Sequence, residues 1–416
     1  MEMKFLRVLL SAYACEPGKG SEPGVGWNWV RIIASFVDEV WVITRANNRE
    51  VIEQSLMKES LPNIHWIYFD LPRWACFWKK GQRGIHLYYY LWQIGIYLLA
   101  KRLHQKVGFN LVHHITFVNY WMPSFLPLLP VPFIWGPVGG GESSPKNFYK
   151  TFSWRGRMHE YTRRLVRWLS EHDPLVRLTV RKAIIALATT EETAKRLYYL
   201  GAKNVKVLSQ IVLSQEEIDF LNSLPQHKRN PFRFISIGRL LHLKGFHLSI
   251  MAFAKLVQKY PQSEYWIVGD GPERHNLEWL ARKLGVSDKV KFWGKLPREE
   301  ALKKLGECNV LLHPSLHDSG GWVCVEAMAA GRPVICLDLG GPALQVTKET
   351  GFRIPARTPE QVVEEMAEAM KSLAMDEVLR EKMSESAQKR VLTKFVWRHH
   401  REQIFNIYKQ VLERGR

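Results

Sequence analysis

The strongest constraint on the fold of this chain is a regular alternation in its second half. FRFISIG (232–238), YWIVG (265–269), KVKFWG (289–294), NVLLH (309–313) and PVICL (333–337) are short apolar runs separated by stretches with helical spacing. Such runs read as strands covered on both faces, and helices between them make βαβ units of a parallel sheet. Helices are expected over about 246–259, 273–284, 298–305 and 322–330, the last stopped by Gly331 and Pro333. FLRVLL, EVWVIT, HWIYF, NLVHHI, PFIWG and AIIAL repeat the pattern less evenly in the first half. A chain of 416 residues exceeds one ordinary core. The expected fold class is therefore α/β, with two tandem Rossmann-like domains. The polar, proline-bearing LNSLPQHKRNP (221–231) is the expected boundary, giving domains at 1–221 and 222–392. A closing helix is expected over 393–412, within a terminal segment 393–416.

Composition narrows the function classes. The five cysteines are scattered and none forms a CxxC pair, which argues against a disulfide framework or zinc site and fits a reducing cytoplasm. Lys and Arg number 59 against 40 Asp and Glu, a formal charge of +19 that attracts polyanions or anionic lipid surfaces. No nucleic-acid-binding module accompanies that charge, so a nucleic-acid partner is not expected. MEMKFLRVLLSAYACEPGKG reads as a buried strand running into a glycine-rich loop rather than a signal peptide. LYYYLWQIGIYLLA (87–100) is too short for a helical membrane span. The surrounding segment 73–106 mixes aromatics with cations and reads either as a lipid-interface element or as a buried helix beside a basic loop.

In doubly wound sheets, ligands bind beyond the carboxyl ends of the strands, so the residues there carry the chemistry. Two domains of this kind place the expected site in the cleft between them. Arg239 and Lys244 follow FRFISIG and suit a diphosphate. Ser319-Gly320-Gly321-Trp322 opens a helix, where free N–H groups attract an anion. Glu326 lies one turn further in among apolar neighbours, so it needs either a paired cation or donors from a ligand, such as ribose hydroxyls. Gly18, Gly20, Gly24 and Gly26 form a flexible rim before a helix starting near Val25. His113 and His114 end the NLV strand, and GPVGGGES (136–143) is a third glycine-rich loop. There is no P-loop, no GxSxG elbow and no acidic cluster that marks a metal.

With these residues in view, the chain resembles retaining glycosyltransferases of family 4, which have the GT-B fold. The carrying blocks are IGRLLHLKG, VGDGPER, VKFWGKLP, HPSLHDSGGWVCVEAMAAGRPVICLDLGGP and TGFRIP, in family order and spacing. SEPGVGW and GPVGGGE are similar to first-domain loops of a bacterial branch involved in surface polysaccharides. The resemblance implies a nucleoside-diphosphate sugar donor, a glycan or lipid-linked acceptor, retained anomeric configuration, and no metal or other cofactor. It implies a cytoplasmic protein, peripheral on the inner face of the membrane, with its closing helix crossing back to the first domain. Glu326 is then expected to hold the ribose and Asp318 the transferred sugar. Arg239 and Lys244 would grip the diphosphate with the amides of Gly320, Gly321 and Trp322. The base would lie near Gly294 and Lys295, Gly24 would join the donor-binding residues, and His113 or His114 would lie beside the sugar. The family's usual E-x7-E here reads Asp318-x7-Glu326, one methylene shorter at its first position. A dinucleotide-dependent oxidoreductase would need GxGxxG after a strand, which the first loop lacks. A relative that hydrolyses or epimerises nucleotide sugars stays as the alternative.

Overall fold

The computed structural model describes residues 5–79, 81, 84–226 and 230–414. Lys80, Gln82 and Arg83 of the 73–106 segment, and His227, Lys228 and Arg229 of the expected boundary, lie outside the described residues. The chain divides into two compact units. The first comprises Met1–Gly141, Leu165–Val212 and Trp397–Arg416; the second comprises Glu142–Arg164 and Leu213–Val396.

The first unit holds seven strands: β1 (Arg7–Ala12), β2 (Glu39–Thr44), β3 (Ile64–Tyr68), β4 (Leu111–Thr116), β5 (Phe133–Val138), β6 (Ile185–Ala188) and β7 (Val205–Val207). They are all parallel, in the order β3-β2-β1-β4-β5-β6-β7. The second unit holds β8 (Phe232–Ile237), β9 (Ser263–Val268), β10 (Val290–Gly294), β11 (Val310–His313), β12 (Val334–Leu337) and β13 (Gly351–Ile354). Their order is β10-β9-β8-β11-β12-β13, again parallel throughout. In each sheet the strand order reverses beside the first strand, between β1 and β4 and between β8 and β11. These switch points are where doubly wound sheets open a crevice for ligands.

β4, β5, β6, β11 and β12 are buried along their whole length, as runs without alternation require. Every run read as a strand is a strand; β7 and β13, short and half-covered, are additional. The second core includes Phe148, Tyr149 and Phe152, which is why 142–164 groups with the second unit and not with 1–221. Residues 213–221 group there as well. The closing helix differs from 393–412: one helix ends at Lys394, and another runs Trp397–Arg414 in the first unit. There Tyr408 reaches His113 at 2.9 Å.

The helix Ile85–Val107 buries Tyr88, Tyr89, Trp92, Gln93, Ile96 and Ala100, and leaves Leu87 and Leu98 exposed. One face of the segment is thus core. Among the described residues, no helix is long and apolar enough to cross a membrane.

Candidate functional site

At the switch point of the second sheet, β8 and β11 deliver two loops. β8 is followed by Gly238, and the chain then passes through Arg239 to a short 3-10 turn, His242–Lys244. β11 ends at His313, and the loop that follows carries Asp318, Ser319 and Gly320 to the helix Trp322–Ala329. Gly321 caps that helix at φ 67°, a left-handed conformation that favours glycine. Gly340 and Gly341 let another segment approach closely: a Cβ on Gly340 would sit 2.2 Å from the Asp318 carbonyl oxygen.

Asp318 is the hub. Lys244 donates to Oδ2 at 2.5 Å, and His313 Nε2 lies 3.1 Å from the same oxygen. The amides of Gly320 and Gly321 donate to Oδ1 at 3.1 and 2.9 Å. Burial pushes the Asp318 carboxyl up, but Lys244 and His313 outweigh it and hold it well below the usual carboxylate range. Two of the amides expected at a phosphate are therefore satisfied by the chain's own carboxylate. Ser319 donates to Glu142 Oε2 at 2.5 Å, and Gln345 donates to the Gly320 carbonyl.

Glu326 is buried in the helix behind this loop. The question of what satisfies it has a direct answer. Arg298 donates from Nε and Nη2 to its Oε1, at 3.1 and 2.7 Å. The same Nη2 reaches Glu217 at 2.9 Å. Burial raises the Glu326 carboxyl, Arg298 recovers only part of that, and the net shift is upward. Both Arg298 bonds fall on Oε1, and the Trp322 side chain adds a further contact that favours the charged carboxylate. Burial, with Asp318 and Glu326 as nearby negative charges, raises the Cys324 thiol well above its ordinary value.

The structure thus brings Lys244, Asp318, Gly320 and Gly321 into contact. Arg239 and Lys295 are exposed, with no side-chain partner among the described residues. Gly294 ends β10 at φ 72°, and Trp322 is half-buried as the first helical residue.

The first unit corrects the histidine expectation. β4 continues to Thr116, so His113 and His114 lie inside a fully buried strand, not beyond its end. His113 is bonded through both ring nitrogens, to Tyr408 and to the Gly136 carbonyl, and His114 to Tyr89. Burial lowers their pKa values to about 4 and about 3. Burial holds both rings neutral. The helix expected near Val25 begins at Ser21, which puts Gly24 inside its first turn. At this sheet's switch point, Glu22 instead accepts from the Phe117 amide.

Glu142, His313 and Arg298 were missed by sequence reasoning. Glu326 signalled that a cation was needed but not where; His313 stood at a strand end without a partner in view. Among the described residues, one group has metal-ligand spacing: His159, Glu160 and His242, with ligand atoms within 4.8 Å of one another. His242 already hydrogen-bonds Glu160 at 3.0 Å, and Arg163 adds a nearby positive charge, so Glu160 has partners within the protein.

Residues 219–390 match the family model for glycosyl transferases group 1. An alpha-D-kanosaminyltransferase of Streptomyces kanamyceticus is 30% identical over 59% of this chain and 68% of its own length. The chain belongs to the group 1 glycosyl transferases. A second relative of this glycosyl transferase is the lipopolysaccharide core biosynthesis glycosyltransferase LpsD of Rhizobium meliloti, 28% identical over 54% of this chain and 62% of its own. Over the first curated relatives it matches, the chain spans from 33% to 63% of their length. The solved structure of Anabaena HepE in complex with UDP-glucose covers 97% of this chain and 100% of its own, with a TM-score of 0.58 at 18% identity. That likeness places this group 1 glycosyl transferase in the GT-B fold.

Proposed function

We propose that the protein transfers a sugar from a nucleoside-diphosphate donor to a glycan or lipid-linked acceptor of cell-surface polysaccharide, with retention and without a metal. The observation that carries this reading is the grouping of Lys244, Asp318 and the Gly320–Gly321 amides at the switch point of the second sheet. HepE's solved complex with UDP-glucose makes a uridine donor the first choice, and LpsD's role in lipopolysaccharide core biosynthesis suggests the acceptor class.

In this reading Lys244 and the exposed Arg239 neutralise the departing diphosphate, so protein cations take the place of a metal. Glu326 Oε2 accepts from a ribose hydroxyl while Arg298 holds Oε1. Asp318, ionised under the influence of Lys244 and His313, accepts from hydroxyls of the transferred sugar. Gly294 and Lys295 lie beside the base. The acceptor attacks the face from which the diphosphate leaves, and a β-phosphate oxygen takes its proton as the glycosidic bond breaks. His113 or His114 stands on the sugar's side of this arrangement, held in β4 by Tyr408, the Gly136 carbonyl and Tyr89. The net charge of +19 draws the protein to the anionic inner face of the membrane.

A thermal-shift panel of nucleoside diphosphates and nucleotide sugars tests the donor site. A ligand at about 100 times its Kd stabilises the protein by roughly 2.7 kcal/mol. UDP-sugars should raise the melting temperature, and Lys244→Ala and Glu326→Ala should remove the shift. A wild-type protein indifferent to every nucleotide refutes the reading, and an inverted product by NMR refutes retention.

A further inference from the structure

The helix Trp154–Glu171 is built inside out. Its inward face is charged. Glu160 pairs with His242 at 3.0 Å, and Arg163 donates to the Glu142 carbonyl at 3.3 Å. Further along, Arg167 donates to Tyr120 and to the Gly141 carbonyl at 2.7 and 2.8 Å, and Glu171 accepts from Tyr120 at 2.7 Å. Glu160, Arg167 and Glu171 are all buried. The outward face is apolar: Trp154, Met158, Tyr161, Leu165, Trp168 and Leu169 are each more than half exposed, Trp154 at 66%. They recur every three or four residues, so they form one stripe along about 27 Å of helix. A soluble helix normally turns such a stripe to the core, and contiguous exposed apolar surface marks a binding face.

The residues beside the stripe select the occupant. Arg155, Arg157 and Arg164 are exposed, and no acidic side chain lies within ion-pair distance of them among the described residues. Both acids of the helix are turned inward and paired. A second copy of this helix would therefore set arginine against arginine across the seam, with no acid to answer. An anionic lipid surface answers both features: the stripe enters the boundary between headgroups and acyl chains, and the arginines meet the headgroups.

We infer that the helix Trp154–Glu171 docks the protein, apolar stripe down, on an anionic bilayer surface. This deepens the membrane part of the proposed function and assigns it to a helix outside the 73–106 segment. Sedimentation with phosphatidylcholine vesicles, with and without phosphatidylglycerol, reads it directly. The wild-type protein is expected to pellet with the anionic vesicles alone. Trp154→Ser/Leu165→Ser/Trp168→Ser should lower the partition coefficient more than tenfold, and Arg155→Gln/Arg157→Gln by about fivefold for each charge removed. Both variants change exposed residues only, so their melting temperature and nucleotide response should match wild type. Unchanged binding in both variants overturns the helix assignment and leaves the membrane reading standing. A wild type that ignores anionic vesicles overturns both. Concentration-dependent dimers that the serine variant dissolves, without lipid binding, would assign the stripe to a second copy and overturn the inference. None of these outcomes bears on the donor site.

Discussion

Arg298→Met removes the cation from Glu326 while keeping a flexible apolar stem of similar length. Three hydrogen bonds are lost, two to Glu326 and one to Glu217. What remains is a buried carboxylate with Glu217 nearby as a like charge, which itself pushes the Glu326 pKa upward. Breaking one side of a fully buried pair costs about 3–5 kcal/mol. The Arg298 side chain is 30% exposed, so water offsets part of that and about 2–3 kcal/mol is expected. For a unit of this size that is a fall in melting temperature of about 4–12 °C. The loss should depend on pH in a definite direction. Without Arg298, burial raises Glu326 further above the ordinary value of about 4.3, so the folded state binds its proton more readily than the unfolded chain. That contribution is fully present below the unfolded value and is lost as pH rises through the folded one. The deficit should therefore be largest at neutral pH and shrink as pH falls toward about 4.3. Adding Glu326→Gln removes the charge and should restore most of the stability. Melting curves of the single and double variants between pH 4.5 and pH 8, as rough limits, decide it. A deficit that neither acid nor the second substitution relieves would refute the view that Arg298 satisfies Glu326.

Gly26→Ala should lower the urea midpoint even though alanine is the better helix former, because its Cβ would lie 2.1 Å from the Ala14 carbonyl oxygen; a loss of about 1–3 kcal/mol is expected. The first unit should also lose stability as pH falls from about 6.5 toward 4. His113, with its pKa lowered to about 4, is neutral when folded, and the unfolded chain takes up the proton first. His113→Gln should flatten that slope in pH-dependent melting, and an unchanged slope would exclude His113 as its source.

The sheets were legible in the sequence because strands buried on both faces have no polar positions to blur them. The strands left unread, β7 and β13, are the short ones with partial cover. The grouping of the loops was legible by position: Lys244, Asp318, Gly320 and Gly321 follow strands that flank the switch point, and they meet. Long-range partners were not, since nothing local ties Arg298 to Glu326, 28 residues away. His113 misled because the strand runs on past it, and whether a histidine sits inside or beyond a strand turns on two or three residues. The helix Trp154–Glu171 carries no local sign of which face is inner. Its apolar periodicity is right for a helix, yet its apolar face is the outer one.

The short side chain at Asp318 has a consequence for how the loop acquires its shape. An aspartate can fold back on the amides two and three residues ahead, as Asp318 does on Gly320 and Gly321. The order of the loop is thus inherited from folding, through Lys244, His313 and its own backbone. An incoming anion would not have to freeze a wandering segment, and so would lose little conformational entropy there. It would have to trade places with a carboxylate, taking over hydrogen bonds that are already aimed. Association then becomes an exchange of partners at a finished surface rather than the building of one.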